Sequence, residues 1–146
     1  MNNLTSWLSL ALWLAGLGHF CILGASLQVP VRLGWKKDLA KLTPFNRKLM
    51  WVYAATTLLT IIAFGTLTLF LHDDFLRGDR GALALAAFMA IFWTLRIVVD
   101  FTYFDHKDWP VGRALVAGHF LLVALFTAIA GTFWAVLIWH GMKGAS

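Results

Sequence analysis

Residues 82–104, ALALAAFMAIFWTLRIVVDFTYF, form an apolar run of 23 residues that only two charged side chains interrupt, Arg96 and Asp100. A helix of about 20 residues is needed to cross the hydrocarbon core of a bilayer. Because lipid offers no hydrogen-bond partners to the backbone, a segment of this composition has to be helical. This stretch therefore predicts a membrane-spanning helix.

Three further runs of similar length and composition predict three more membrane-spanning helices. They cover residues 4–29, 49–71 and 111–139. Short connections make consecutive helices antiparallel neighbours. The predicted fold is therefore all-α, an integral membrane up-down bundle of four transmembrane helices, with the whole chain from 1 to 146 in a single domain.

The composition supports a membrane protein and argues against a soluble one. Apolar residues make up 60% of the chain and charged residues 13%, and there is no glutamate. A soluble domain has roughly a quarter of its residues charged. The first apolar run follows Met1-Asn2-Asn3, which lacks the basic segment that precedes the core of a cleaved signal peptide. We therefore expect this run to remain in the mature protein.

Basic residues cluster between the first two runs and predict the orientation of the bundle. This connection sets one acidic residue, Asp38, against six basic ones: Arg32, Lys36, Lys37, Lys41, Arg47 and Lys48. Cytoplasmic loops hold the excess of lysine and arginine, so both chain termini are expected outside the cell (inner) membrane. The loop should include an interfacial turn near Trp35 and contact anionic lipid headgroups rather than nucleic acid.

Ionisable residues inside the predicted helices mark the candidate site, because a charge at membrane depth is costly and usually functional. Two Gly-His-Phe triplets place His19 in the first helix and His119 in the fourth. At 1.5 Å per residue, His19, Arg96 and His119 all lie about 12–15 Å from the basic ends of their helices. We expect them to converge at one level in the cytoplasmic half. The same buried polar site is expected to include Tyr53, Trp93, Asp100 and Tyr103.

Two histidines on facing helices have the chemistry to ligate the iron of a b-type haem, or another metal ion, from both sides. His19 and His119 are therefore the candidate haem and metal ligands. Arg96 is the candidate partner of a haem propionate, since guanidinium matches carboxylate geometry. No C-x-x-C-H motif for covalent attachment is present. The hypothesis is a haem b electron-transfer protein that exchanges electrons with a quinone or a membrane protein partner.

Two other classes of function stay open beside the haem protein. One is a non-catalytic membrane subunit, in which Arg96 and Asp100, four residues apart on one helix, only fix helix packing. The other is a small proton- or ion-coupled transporter or metal handler, acting as a homo-oligomer because four helices enclose little space. No Ser-His-Asp order, phosphate loop or paired-carboxylate motif is found, which leaves enzymatic activity open. His72, Asp73 and Asp74, extended by Asp79 and His140, form a further candidate site for a divalent ion at the outer face.

Overall fold

The computed structural model describes residues 3–104 and 112–144, and within these ranges the chain forms six helices and no strand. In chain order the helices are α1 (Asn3–Arg32), α2 (Trp35–Leu39), α3 (Pro44–Phe70), α4 (His72–Arg77), α5 (Arg80–Thr102) and α6 (Arg113–Gly144). The predicted all-α fold is confirmed.

The four long helices, α1, α3, α5 and α6, are long and apolar enough to cross a membrane. Each corresponds to one of the four predicted spans, and their ends differ from the predicted ends by up to five residues. The largest differences, five residues each, are at the start of α3, at Pro44 rather than at residue 49, and at the end of α6, at Gly144 rather than at residue 139. The predicted start of the fourth span, residue 111, lies outside the described residues.

Local chemistry explains the early start of α3. The hydroxyl of Thr43 accepts a hydrogen bond from the Asn46 backbone N–H at 3.5 Å, and Pro44 occupies the first turn. A threonine cap followed by proline favours helix initiation, because the cap satisfies a free N–H and proline needs no partner. The helix therefore begins within the polar connection, ahead of its apolar part.

Two short helices occupy the connections on either side of α3. The turn predicted near Trp35 forms the helix α2, which follows Gly34 at a φ of 65°. Its Trp35 ring lies edge-on to Trp51 of α3, with ring centres 6.1 Å apart. The second short helix, α4, is followed by Gly78 at a φ of 82°. Both glycines supply the left-handed backbone that other residues rarely adopt.

The long helices pack as a ring in the order α1, α3, α5, α6. Close backbone packing joins α1 to α3, α1 to α6 and α5 to α6. Large side chains fill the wider space between α3 and α5, where the Phe64 ring lies 5.8 Å from Phe88 and 5.1 Å from Phe92. Sequence neighbours are thus neighbours in space, as expected of an up-down bundle.

Burial is uneven along the bundle axis. We call one end the basic end, formed by α2, the starts of α3 and α6 and the end of α5. The other, the terminal end, holds the start of α1, α4 and the end of α6. The apolar core runs from the terminal end to the middle of the bundle, around residues such as Leu12, Phe75, Trp93 and Phe133. Toward the basic end, only Leu39 and Asp100 are buried among the described residues.

Candidate functional site

His19 is completely buried at the centre of the bundle, with 0% of its surface exposed. Its Nδ1–H donates to the Ala15 carbonyl oxygen at 2.7 Å, one turn back on α1. Its Nε2 accepts a hydrogen bond from the Trp93 indole N–H of α5 at 3.1 Å. These partners assign the proton to Nδ1, and both ring nitrogens are then occupied within the protein.

Small residues and aromatic rings make room for His19 and enclose it. A Cβ atom built on Gly65 of α3 would lie 3.0 Å from the His19 Cβ, so glycine allows this approach of α1 to α3 without displacing the histidine. The rings of Phe64, Trp93 and Phe133 surround the imidazole, with centres 5.4–6.4 Å away. This aromatic layer closes the middle of the bundle.

Asp100 lies between two cationic or titratable side chains toward the basic end. Its Oδ1 is 3.4 Å from Nη1 of Arg96, one turn earlier on α5, and its Oδ2 is 3.0 Å from Nε2 of His119 on α6. The side chain of Asp100 is 6% exposed, against 24% for His119 and 41% for Arg96. The guanidinium also lies over the Phe126 ring, 5.5 Å from its centre. The three polar residues therefore join α5 to α6.

The Asp100 carboxylate is buried without strong hydrogen bonds from the described residues. Charge-assisted N–H···O bonds usually measure about 2.7–2.9 Å, and the Arg96 contact is longer at 3.4 Å. Oδ2 is close to His119 but receives no directed hydrogen bond there. Buried polar groups are nearly always well bonded, so a carboxylate in this state calls for an explanation.

His19 and His119 are not at one level, although the sequence predicted that they would be. On α5, Trp93 contacts His19 and Asp100 contacts His119. Trp93 and Asp100 are seven residues apart, which corresponds to about 10 Å along the helix axis. Along α6, Phe126 stacks on Trp93 and lies seven residues from His119, again about 10 Å. Each histidine faces its own partners. This arrangement does not fit a haem iron, or another metal ion, shared between the two side chains.

Of the remaining candidate residues, two take part in polar contacts and two do not. Trp93 is buried and hydrogen-bonded to His19. Arg96, the candidate partner of a haem propionate, pairs instead with the carboxylate of Asp100. Tyr53 and Tyr103 are 58% and 80% exposed and do not join the polar cluster. The structure thus divides the predicted site into a structural pair, His19 with Trp93, and a charged cluster, Arg96, Asp100 and His119.

The predicted outer divalent-ion site does not assemble. His72 bonds to Ser9 and Asp73. The Nε2–H of His140 donates to the Phe75 carbonyl oxygen at 2.9 Å. Among the described residues, no group of three or more histidine, cysteine, aspartate or glutamate side chains is placed to hold a metal ion.

Sequence reasoning missed the partners that other helices supply. The indole N–H of Trp93 and the ring of Phe133 were not paired with His19, and Phe126 was not paired with Arg96. Trp93 was included in the predicted site only because it lies three residues before Arg96, on the same face of the helix. Nothing in the spacing of α6 distinguishes Phe126 and Phe133 from its other apolar residues.

Fold and composition together define a multi-pass α-helical membrane protein. No protein-family model matches the chain, and neither does any curated protein or any solved structure. Its function has to be inferred from the side-chain geometry.

Proposed function

We propose that the protein is a small membrane transporter that carries protons through a relay, in which Asp100 and His119 bind and release the proton. The observation that carries the proposal is the state of Asp100. Its carboxylate is 6% exposed, lies 3.0 Å from the imidazole of His119, and lacks a directed hydrogen bond at Oδ2 among the described residues. A carboxylate and an imidazole in contact can both bind a proton, and imidazole is the side chain best suited to exchange one near neutral pH.

Arg96 gives the pair a means of coupling protonation to movement. Its positive charge attracts the Asp100 carboxylate, and that attraction holds the charged cluster together across α5 and α6. Protonation of Asp100 removes the attraction. Because the helices bury few side chains at the basic end, their ends can then separate at low cost.

The position of the cluster favours access from the basic end. Asp100 lies two residues from the end of α5, and His119 lies six residues from the start of α6, about 9 Å. In the other direction, the aromatic layer around His19 closes the bundle. Protons therefore reach the pair from the basic end, and crossing the membrane requires this layer to rearrange.

The basic end is proposed to face the cytoplasm. Six basic residues against one acidic residue between α1 and α3 follow the distribution typical of cytoplasmic loops. Both chain termini then lie on the opposite side of the cell membrane. The exposed lysines of α2 are placed to contact anionic lipid headgroups.

Proton flux into liposomes tests the proposal. Purified protein is reconstituted with a pH-sensitive dye inside the vesicles, and a potassium gradient with valinomycin drives proton entry. Wild type is expected to carry protons faster than protein-free vesicles, and Asp100→Asn is expected to fall to the protein-free rate. Asparagine keeps the shape of the side chain and cannot be ionised. A loss of flux in this variant is therefore attributable to the loss of the titratable group.

A matched control is available at the same end of the bundle. Asp38 of α2 is an exposed aspartate that pairs only with the exposed Lys41 among the described residues. Asp38→Asn should leave the flux unchanged. A wild-type flux equal to that of protein-free vesicles, or an Asp100→Asn variant with the wild-type rate, would contradict the proposal.

A second candidate, a non-catalytic membrane subunit, is favoured by one contact. Arg96 and Asp100 are one turn apart on α5 and neutralise each other, while Asp100 also reaches α6 through His119. Such a cluster can serve helix packing alone. This candidate predicts that Asp100→Asn changes the stability of the protein, with no proton flux in any variant.

A further inference from the structure

Ser9, His72 and Asp73 form a continuous hydrogen-bonded chain at the terminal end of the bundle. The Ser9 hydroxyl oxygen on α1 lies 3.0 Å from Nε2 of His72, the first residue of α4. On the other side of the ring, Nδ1 lies 2.8 Å from Oδ1 of Asp73. The folded chain thus contains a Ser–His–Asp arrangement that the sequence order did not reveal.

The partners decide which nitrogen of His72 holds the proton. A carboxylate only accepts hydrogen bonds, so Nδ1–H donates to Asp73, and the free Nε2 lone pair accepts from the Ser9 hydroxyl. A second contact, 3.4 Å from Nε2 to the Ser9 carbonyl oxygen, is longer. It can receive a hydrogen bond only when Nε2 also carries a proton. This connectivity is that of a serine nucleophile, its general base and the carboxylate that orients the base.

We propose that Ser9, His72 and Asp73 form a serine acyl-transfer site that acts on carboxylic esters of membrane lipids. This site is separate from the charged cluster, since it lies at the terminal end while Arg96, Asp100 and His119 lie toward the basic end. The proposal is therefore independent of the proton-coupled function.

The reaction balances with water as the only co-reactant. The Ser9 oxygen attacks the ester carbonyl carbon while its proton moves to Nε2 of His72. The carbon–oxygen bond to the leaving alcohol then breaks, and His72 returns the proton to that alcohol, leaving an acyl group on Ser9. Water attacks the acyl group through the same base, which releases a carboxylic acid and restores the serine.

The surroundings of the site fit a lipid ester. Ser9 lies six residues from Asn3, the first described residue of α1, about 9 Å along the helix. That position is near the membrane surface, where the ester groups of phospholipids lie between acyl chains and headgroups. Leu10 and Trp13 are 48% and 46% exposed and provide apolar surface for an acyl chain. The Trp13 ring also lies against His72, with ring centres 5.0 Å apart.

Labelling with a fluorophosphonate probe tests whether Ser9 is an activated nucleophile. The full-length protein is reconstituted in lipid nanodiscs, treated with the probe, and digested for mass spectrometry. Wild type is expected to be labelled on Ser9, and Ser9→Ala is expected to lose the label. His72→Gln should slow labelling by roughly 100-fold, the usual contribution of a general base. Ser6→Ala, an exposed serine on the same helix, should label like wild type.

Asp73→Asn is a second test of the proposal that does not depend on whether the His72 variant folds correctly. The Asp73 side chain is 80% exposed, so its replacement leaves the packing of α4 intact. Labelling of this variant should also be slowed, because the histidine loses the group that holds its tautomer. If the three residues only tie α1 to α4, wild type stays unlabelled at Ser9, or labels as fast as the His72 and Asp73 variants. Either result overturns the proposal.

Discussion

Replacement of Arg96 by leucine is expected to lower the free energy of unfolding by about 3 kcal/mol. The variant leaves Asp100 buried at 5% exposure and without its cation. Stability can be followed by equilibrium unfolding in mixed micelles of mild detergent and sodium dodecyl sulfate. The double variant Arg96→Leu/Asp100→Leu removes both charges and should recover most of the loss, since the cost comes from the unpaired carboxylate.

An exposed ion pair in the same protein provides the control for the Arg96 experiment. Lys41 and Asp38 pair at 2.9 Å, with side chains that are 70% and 64% exposed. Exposed pairs contribute about 0–1 kcal/mol, so Lys41→Leu should change the stability little. If Arg96→Leu is as stable as wild type, Asp100 is solvated in the native protein, and the buried charged cluster does not exist as described.

Replacement of His19 by alanine is expected to lower the free energy of unfolding by about 4 kcal/mol. The variant opens a cavity within the aromatic layer and leaves the buried Trp93 indole N–H without its acceptor. Leu17→Ala, on the same helix at a residue that is 54% exposed, should be close to wild type. The same micelle unfolding assay measures both variants.

The two histidines can also be tested for independence. The contacts of His19 and His119 on α5 are about 10 Å apart. The stability losses of His19→Ala and His119→Ala should therefore add in the double variant. A shared metal or haem would make the two losses strongly non-additive, because either replacement alone would remove the cofactor. Non-additivity of that kind would contradict the separation of the two residues.

The four membrane helices could be predicted from sequence because bilayer thickness sets a minimum length for an apolar helix. The level of each polar residue could not be predicted in the same way. Counting from helix ends requires the true ends, and α1 ends at Arg32, three residues later than predicted, while α6 begins at Arg113, two residues later. The first shift moves His19 farther from the basic end and the second moves His119 closer to it, so the two histidines separate in level.

The inward faces of the helices were equally hard to predict. Membrane helices are apolar on all sides, so periodicity does not separate the face that packs from the face that meets lipid. The pairing of Trp93 with His19, and of Ser9 with His72, depends on how two helices rotate about their axes. By contrast, the Arg96–Asp100 pair was predicted correctly as neighbours, because both lie one turn apart on one helix.

Proton flux through the variant His119→Gln tests the proton-binding role of the charged cluster most directly. Glutamine has a similar size and a polar amide, so it is expected to preserve the packing of α6 against α5. It cannot take up a proton. If Asp100 and His119 exchange the transported proton, His119→Gln liposomes will show the flux of protein-free vesicles while the variant unfolds like wild type. A wild-type flux through His119→Gln would contradict that role.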